Sequence, residues 1–164
     1  MNMLITGVLH EVESELEKTI RILANLDDNK KDWKPHEKSM STIQLARHIV
    51  ELQTGFRNSL KNDSFDFEKD YKPYACNTFN ELSAVLKKET NAFINFIKET
   101  EQEFWLETFT LRVGKKVIVA LPRIAFFRSI IMNHLIHHRG QLTVYLRLLD
   151  IPVPGIYGPS ADEK

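Results

Sequence analysis

The sequence predicts an all-α fold, a four-helix bundle with a small β-hairpin before the last helix. Apolar residues recur at steps of three and four over most of the chain, which is the spacing of one face of an α-helix. Two capping boxes, Ser41 with Gln44 and Thr78 with Glu81, mark helix starts. The 164 residues suit one domain, 1–164, with one core.

The first helix carries Leu4, Val8, Val12, Leu16, Ile20 and Leu23 and ends near Leu26, with Glu11, Glu13, Glu15 and Lys18 on its other faces. A polar connection broken by Pro35 follows. The second helix opens at Ser41 and places Leu45, Ile49, Leu52, Phe56 and Leu60 on one side. Residues 61–76 read as loop. The third helix starts after Thr78 and holds Leu82, Val85, Leu86, Phe93 and Ile97. The stretch FTLRVGKKVIVAL is β-branched and aromatic, and its Gly114-Lys115-Lys116 turn predicts a hairpin. Pro122 suits a first helical turn, and the fourth helix runs from there to Leu149. The tail, with Pro152, Pro154 and Pro159, is expected to be extended. The long connection containing the hairpin fits a crossover between helices.

Composition narrows the function. Lys plus Arg and Asp plus Glu each number 22, so the net charge is zero, without the basic excess of a nucleic-acid surface. No run reaches the ~18 uncharged apolar residues of a membrane span, and no signal peptide is visible. Cys76 is the single cysteine, which excludes an internal disulfide, a CxxC pair and a thiolate cluster. The expected compartment is the cytoplasm, with neither nucleic acid nor membrane as partner.

Three of the six histidines stand out. His134 and His138 are four apart and share a helix face. They lie on the seam Phe127, Ile131, His134, His138, Leu142, Tyr145, Leu149, and His48 takes a matching place on the second helix. Two helices thus send three imidazoles inward. A histidine on an apolar stripe can also be a core residue bonded to a neighbour. Three ring nitrogens in an apolar core find few partners, however, and each unsatisfied group costs ~1–3 kcal/mol. One divalent ion satisfies all three. Three protein ligands with one open position is the arrangement of catalytic zinc, and such an ion favours deprotonation of a bound water or thiol. No HExxH is present. His137 is rotated away, and His10 and His36 are not expected to coordinate. Glu51 and Gln141 lie three residues from proposed ligands, where they could orient the rings.

The segment HLIHHRGQLTVYLRLLDIPVPGIYGPSADE closely resembles the C-terminal signature of the DinB/YfiT-like family, and SMSTIQLARHIVEL resembles its second-helix signature. The resemblance implies an up-up-down-down bundle and a metal site at the matching positions His48, His134 and His138. It also implies a homodimer and, by analogy with some members, a metal-dependent transferase that joins a small thiol such as bacillithiol to an electrophile. Asp150 departs from the pattern, since the family usually has glycine there.

Of the 28 residues from Pro122 to Leu149, 15 are aliphatic or aromatic, more than one buried stripe needs. A second line, Phe126, Ile130, Gly140, Val144 and Leu148, is expected to meet a second copy. Gly140 would permit close helix approach. Cys76 has no activating basic neighbours, and Tyr157 is expected to pack.

The sequence therefore points to a thiol S-transferase holding a divalent ion. Zinc and nickel are the first expectation; iron and copper also suit imidazoles. The alternative is a non-enzymatic metal-binding stress or regulatory protein.

Overall fold

The computed structural model describes residues 2–163. In chain order, α1 (Met3–Ala24) is followed by α2 (Thr42–Glu51), which runs through a π-helical segment (Leu52–Phe56) into α3 (Arg57–Ser59). Next come β1 (Ser64–Asp66), α4 (Phe67–Asp70), α5 (Phe79–Lys98) and α6 (Gln102–Leu106). The hairpin β2 (Thr108–Val113) and β3 (Lys116–Pro122) leads into α7 (Arg123–Phe126), a second π-helical segment (Phe127–Met132) and α8 (Asn133–Leu148). Among the described residues no helix is long and apolar enough to cross a membrane.

Both capping boxes form. Ser41 Oγ accepts from the Gln44 amide, and Gln44 returns the bond to the Ser41 amide at 2.8 Å. Thr78 and Glu81 do the same at the start of α5. Pro122 closes β3 and precedes the helix by one residue instead of opening it. Both π-helical segments contain a hydroxyl that competes for an α-helical carbonyl. Thr54 bonds the carbonyl of Val50 at 2.7 Å, and Ser129 that of Ala125 at 2.5 Å.

The hydrogen bonds between rods fix their directions. Arg128 pairs with Glu11 and Arg139 with Glu15, so α1 and α8 run parallel. Tyr145 bonds Met40 and Arg123 bonds Leu60, so α2 runs against α8. Arg47 bonds Cys76 and Arg57 bonds Thr90, so α2 and α5 are parallel. The order is therefore up-down-down-up and not up-up-down-down. A crossover must join the parallel pair, and it is formed by residues 60–78, while the hairpin joins the antiparallel α5 and α7.

Residues 61–76 hold more structure than a loop. β1 pairs parallel with β2, which pairs antiparallel with β3, giving the order β1-β2-β3. The expectation failed because elements of three and four residues show no periodicity. Arg123 ties this end together from a fully buried position. Its guanidinium donates to the carbonyls of Leu60, Asn62 and Phe104 and pairs with Asp63 and Glu107.

The tail folds back instead of remaining extended. Asp162 accepts from Arg147 at 2.8 Å and from the Val153 amide at 2.8 Å, while Glu163 accepts from Gly155 and pairs with Arg21. A β-carbon at Gly155 would collide with Glu163 and with the Gly158 carbonyl. Tyr157 does not pack into the core as expected: it is 63% exposed, its ring lies under Lys18, and its hydroxyl donates to Glu15 at 2.9 Å.

Candidate metal centre

His48 stands near the C-terminal end of α2, just before the first π-helical segment. His134 and His138 stand on the first turns of α8, just after the second. Because α2 and α8 are antiparallel, the three meet at one level of the bundle. The Nε2 atoms of His134 and His138 are 2.8 Å apart, those of His48 and His134 are 3.5 Å apart, and all three ligand atoms lie within 4.8 Å of one another.

The rings are less enclosed than a core seam implies: His134 is exposed, and His48 and His138 are partly buried. Burial, then the neighbouring His138 and His134, holds His48 down to a pKa of about 4. Burial and adjacent histidines also lower the pKa of His134 and, despite the bond that His138 donates to Gln141, that of His138. These shifts favour the uncharged rings, the form in which an imidazole can ligate a metal ion.

The donor set fits a metal ion. His138 Nδ1 donates to Gln141 Oε1 at 2.6 Å, which leaves its Nε2 as the lone-pair atom facing the other two. A single ring nitrogen either donates or accepts. Hydrogen bonding alone therefore leaves one of the three converging nitrogens poorly matched. Two nitrogens ~2.0–2.1 Å from a tetrahedral ion would be about 3.3 Å apart, which lies between the two separations observed.

Gln141 thus orients a ring, a role its spacing allowed. Glu51 does not: its carboxylate accepts from the Tyr71 hydroxyl at 3.0 Å and from the Tyr74 amide at 3.2 Å. Burial and Glu51 raise the Tyr71 pKa, so this phenol is neutral. His137 sits beside His138 but outside the cluster, and His36 accepts from the Lys38 amide. His10 is exposed on α1. Cys76 is buried with its pKa raised, chiefly by burial, the opposite of a reactive thiol.

His48 and His134 also border a cavity of about 410 Å³ whose lining the sequence did not reveal. Its walls come from α2, α4 and the residue after it, β2, α7, α8 and both π-helical segments, so no single stretch of sequence carries its signature.

The DinB family profile matches residues 1–164. This chain belongs to the DinB family. Among curated proteins of Bacillus subtilis strain 168, the uncharacterised YrdA is 27% identical over 152 residues, covering 92% of this chain and 86% of YrdA. The uncharacterised YjoA is 29% identical over 116 residues, 70% of this chain and 71% of its own length. The crystal structure of a DinB-like protein from Bacillus cereus ATCC 10987 matches with a TM-score of 0.73 at 24% identity, covering 93% of this chain and 97% of that one. That of YjoA gives a TM-score of 0.68 at 19% identity, with 99% of each chain covered. These likenesses establish the DinB bundle, within which His48, His134 and His138 of this chain can hold a metal ion.

Proposed function

We propose that this DinB-family chain is a metal-dependent thiol S-transferase, with His48, His134 and His138 holding one divalent ion, zinc or nickel before iron or copper. The observation that carries the reading is the convergence of three uncharged imidazoles at the edge of an apolar cavity. Such an ion keeps its full double charge and favours the deprotonated, nucleophilic form of a thiol.

In the reaction the thiol gives up its proton to solvent. A sulfur lone pair forms the bond to carbon, and the leaving group departs with the bonding electrons. Gln141 holds the His138 ring so that its Nε2 lone pair faces the site. The cavity excludes water from the electrophile. Among the described residues no carboxylate or amine borders it, and what the chain supplies there is position and dryness.

Two measurements test this. Protein purified without a histidine tag is expected to carry about one divalent ion per chain by mass spectrometry, and His134→Ala and His138→Ala should lose it. Thiol-dependent consumption of monochlorobimane is expected in the wild type and should fall at least 100-fold in His48→Ala. Bound metal without turnover of any thiol would replace the transferase with the non-enzymatic metal-binding protein. Failure to take up zinc or nickel would remove both. We also propose a homodimer, supported by an apolar line left exposed on α8.

A further inference from the structure

The 410 Å³ cavity lies toward the small end of the ~300–1,000 Å³ range of small-molecule sites. Besides the two histidines, its walls include Leu52, Phe56, Phe67, Tyr71, Leu111 and Phe126. Among the described residues no Asp, Glu, Lys or Arg lines it. The nearby charges of Glu51, Asp70 and Lys72 instead line a separate 110 Å³ cleft that shares Phe56 and Tyr71 with it. A charged ligand would lose its hydration here without gaining a partner.

The walls are also shaped. Phe56 lies 5.3 Å from both Phe65 and Phe67 and stacks on Tyr71 at 6.1 Å and 23°. Phe67 and Tyr71 are 36% and 40% exposed, apolar surface that folding has not covered. Asp66 holds them in place: its carboxylate accepts from the amides of Glu68, in α4, and Gly114, in the hairpin turn. The π-helical segments contribute Leu52 and Phe56 from one side and Ile130 and Ile131 from the other. Such segments often mark functional sites.

We infer that this cavity binds the uncharged, flat aromatic body of a small molecule, stacked against Phe56, Phe67 and Tyr71 with its substituent directed toward His48 and His134. The inference rests on the transferase reading, because it makes that body the aromatic part of the electrophile. Aromatic pairs gain about 0.5–1.5 kcal/mol beyond area burial, so planarity should matter as well as size.

The test uses the full chain as purified, without thiol, and three inert probes followed by ligand-observed NMR: naphthalene, decalin and naphthalene-2-sulfonate. Naphthalene should bind saturably, decalin a few-fold to about tenfold more weakly, and the sulfonate at least tenfold more weakly. Leu111→Trp, which fills the cavity, and Phe67→Ala, a part-exposed wall residue whose loss leaves the core intact, should each weaken naphthalene at least fivefold without changing metal content. Equal binding of all three probes, or naphthalene binding untouched by both variants, would overturn the inference. Saturable naphthalene binding without monochlorobimane turnover would leave the cavity standing and sink the transferase. Turnover without naphthalene binding would do the reverse.

Discussion

Asp150 is the one residue other than glycine with positive φ among the described residues, at 55°. It ends α8 in a Schellman motif: the Ile151 amide reaches the Leu146 carbonyl at 2.9 Å, and the Asp150 amide reaches Arg147. The left-handed conformation costs an L-residue roughly 1–2 kcal/mol, less for Asp than for most, and glycine adopts it freely. Asp150→Gly is therefore expected to raise stability by about 1 kcal/mol, and the melting temperature by about 2–4 °C. Calorimetry would check this; an unchanged or lower midpoint would mean that the aspartate side chain does something beyond tolerating the turn. The departure was legible only through the resemblance to the family, which usually has glycine at this position. The histidines were legible directly, since i, i+4 spacing fixes a shared face and α2 and α8 each keep their phase at that level. Their exposure was not, because the cavity beside them is built from elements far apart in the sequence, from α2 to α8.

Between elements, the least legible contact joins α1, α8 and the tail. Glu15 looked like a solvated face residue in a run of acidic positions, yet it is buried against Arg139, whose side chain is also buried. Its partner lies 124 residues away, beyond any local pattern. Burial opposes ionisation of Glu15, but bonds from Lys18, Arg139 and Tyr157 outweigh it and lower its pKa below 4.5. Between that lowered native value and the unfolded value the unfolded chain binds more protons, so stability falls as pH drops through this window. Glu15→Gln leaves Arg139 buried without its carboxylate and is expected to cost about 3 kcal/mol near neutral pH. The penalty should shrink toward pH 3 as the wild type loses the same charge. Urea titrations at both pH values would measure it; a penalty independent of pH would mean that shape, not charge, is what Glu15 supplies. By contrast, the capping boxes and the hairpin were readable because their partners lie within a few residues.

At the scale of the whole molecule, the last helix has an apolar side that the bundle leaves uncovered. The expected second line began with Phe126 and Ile130, but the π-helical segment changes the phase before α8. Phe126 enters the core against Phe109, at a ring separation of 4.6 Å, and Ile130 borders the cavity. What stays outside is Ile136, Gly140, Val144 and Leu148, each four residues from the last, with Val144 56% and Leu148 58% exposed. A β-carbon at Gly140 would meet nothing within 4 Å, so no close approach among the described residues explains that glycine. In the proposed homodimer this line meets its own copy across a two-fold axis, and every substitution acts on both sides. Val144→Glu with Leu148→Glu places like charges in the interface and is expected to yield a monomer by light scattering at micromolar concentration, with helicity and metal content unchanged. Gly140→Ala separates the cases further. On a free helix surface it should stabilise the chain by about 1 kcal/mol, whereas between two closely packed helices the added methyl should weaken association. A wild type that scatters as a monomer, with Gly140→Ala simply more stable, would leave the α8 line as bare surface and remove the dimer.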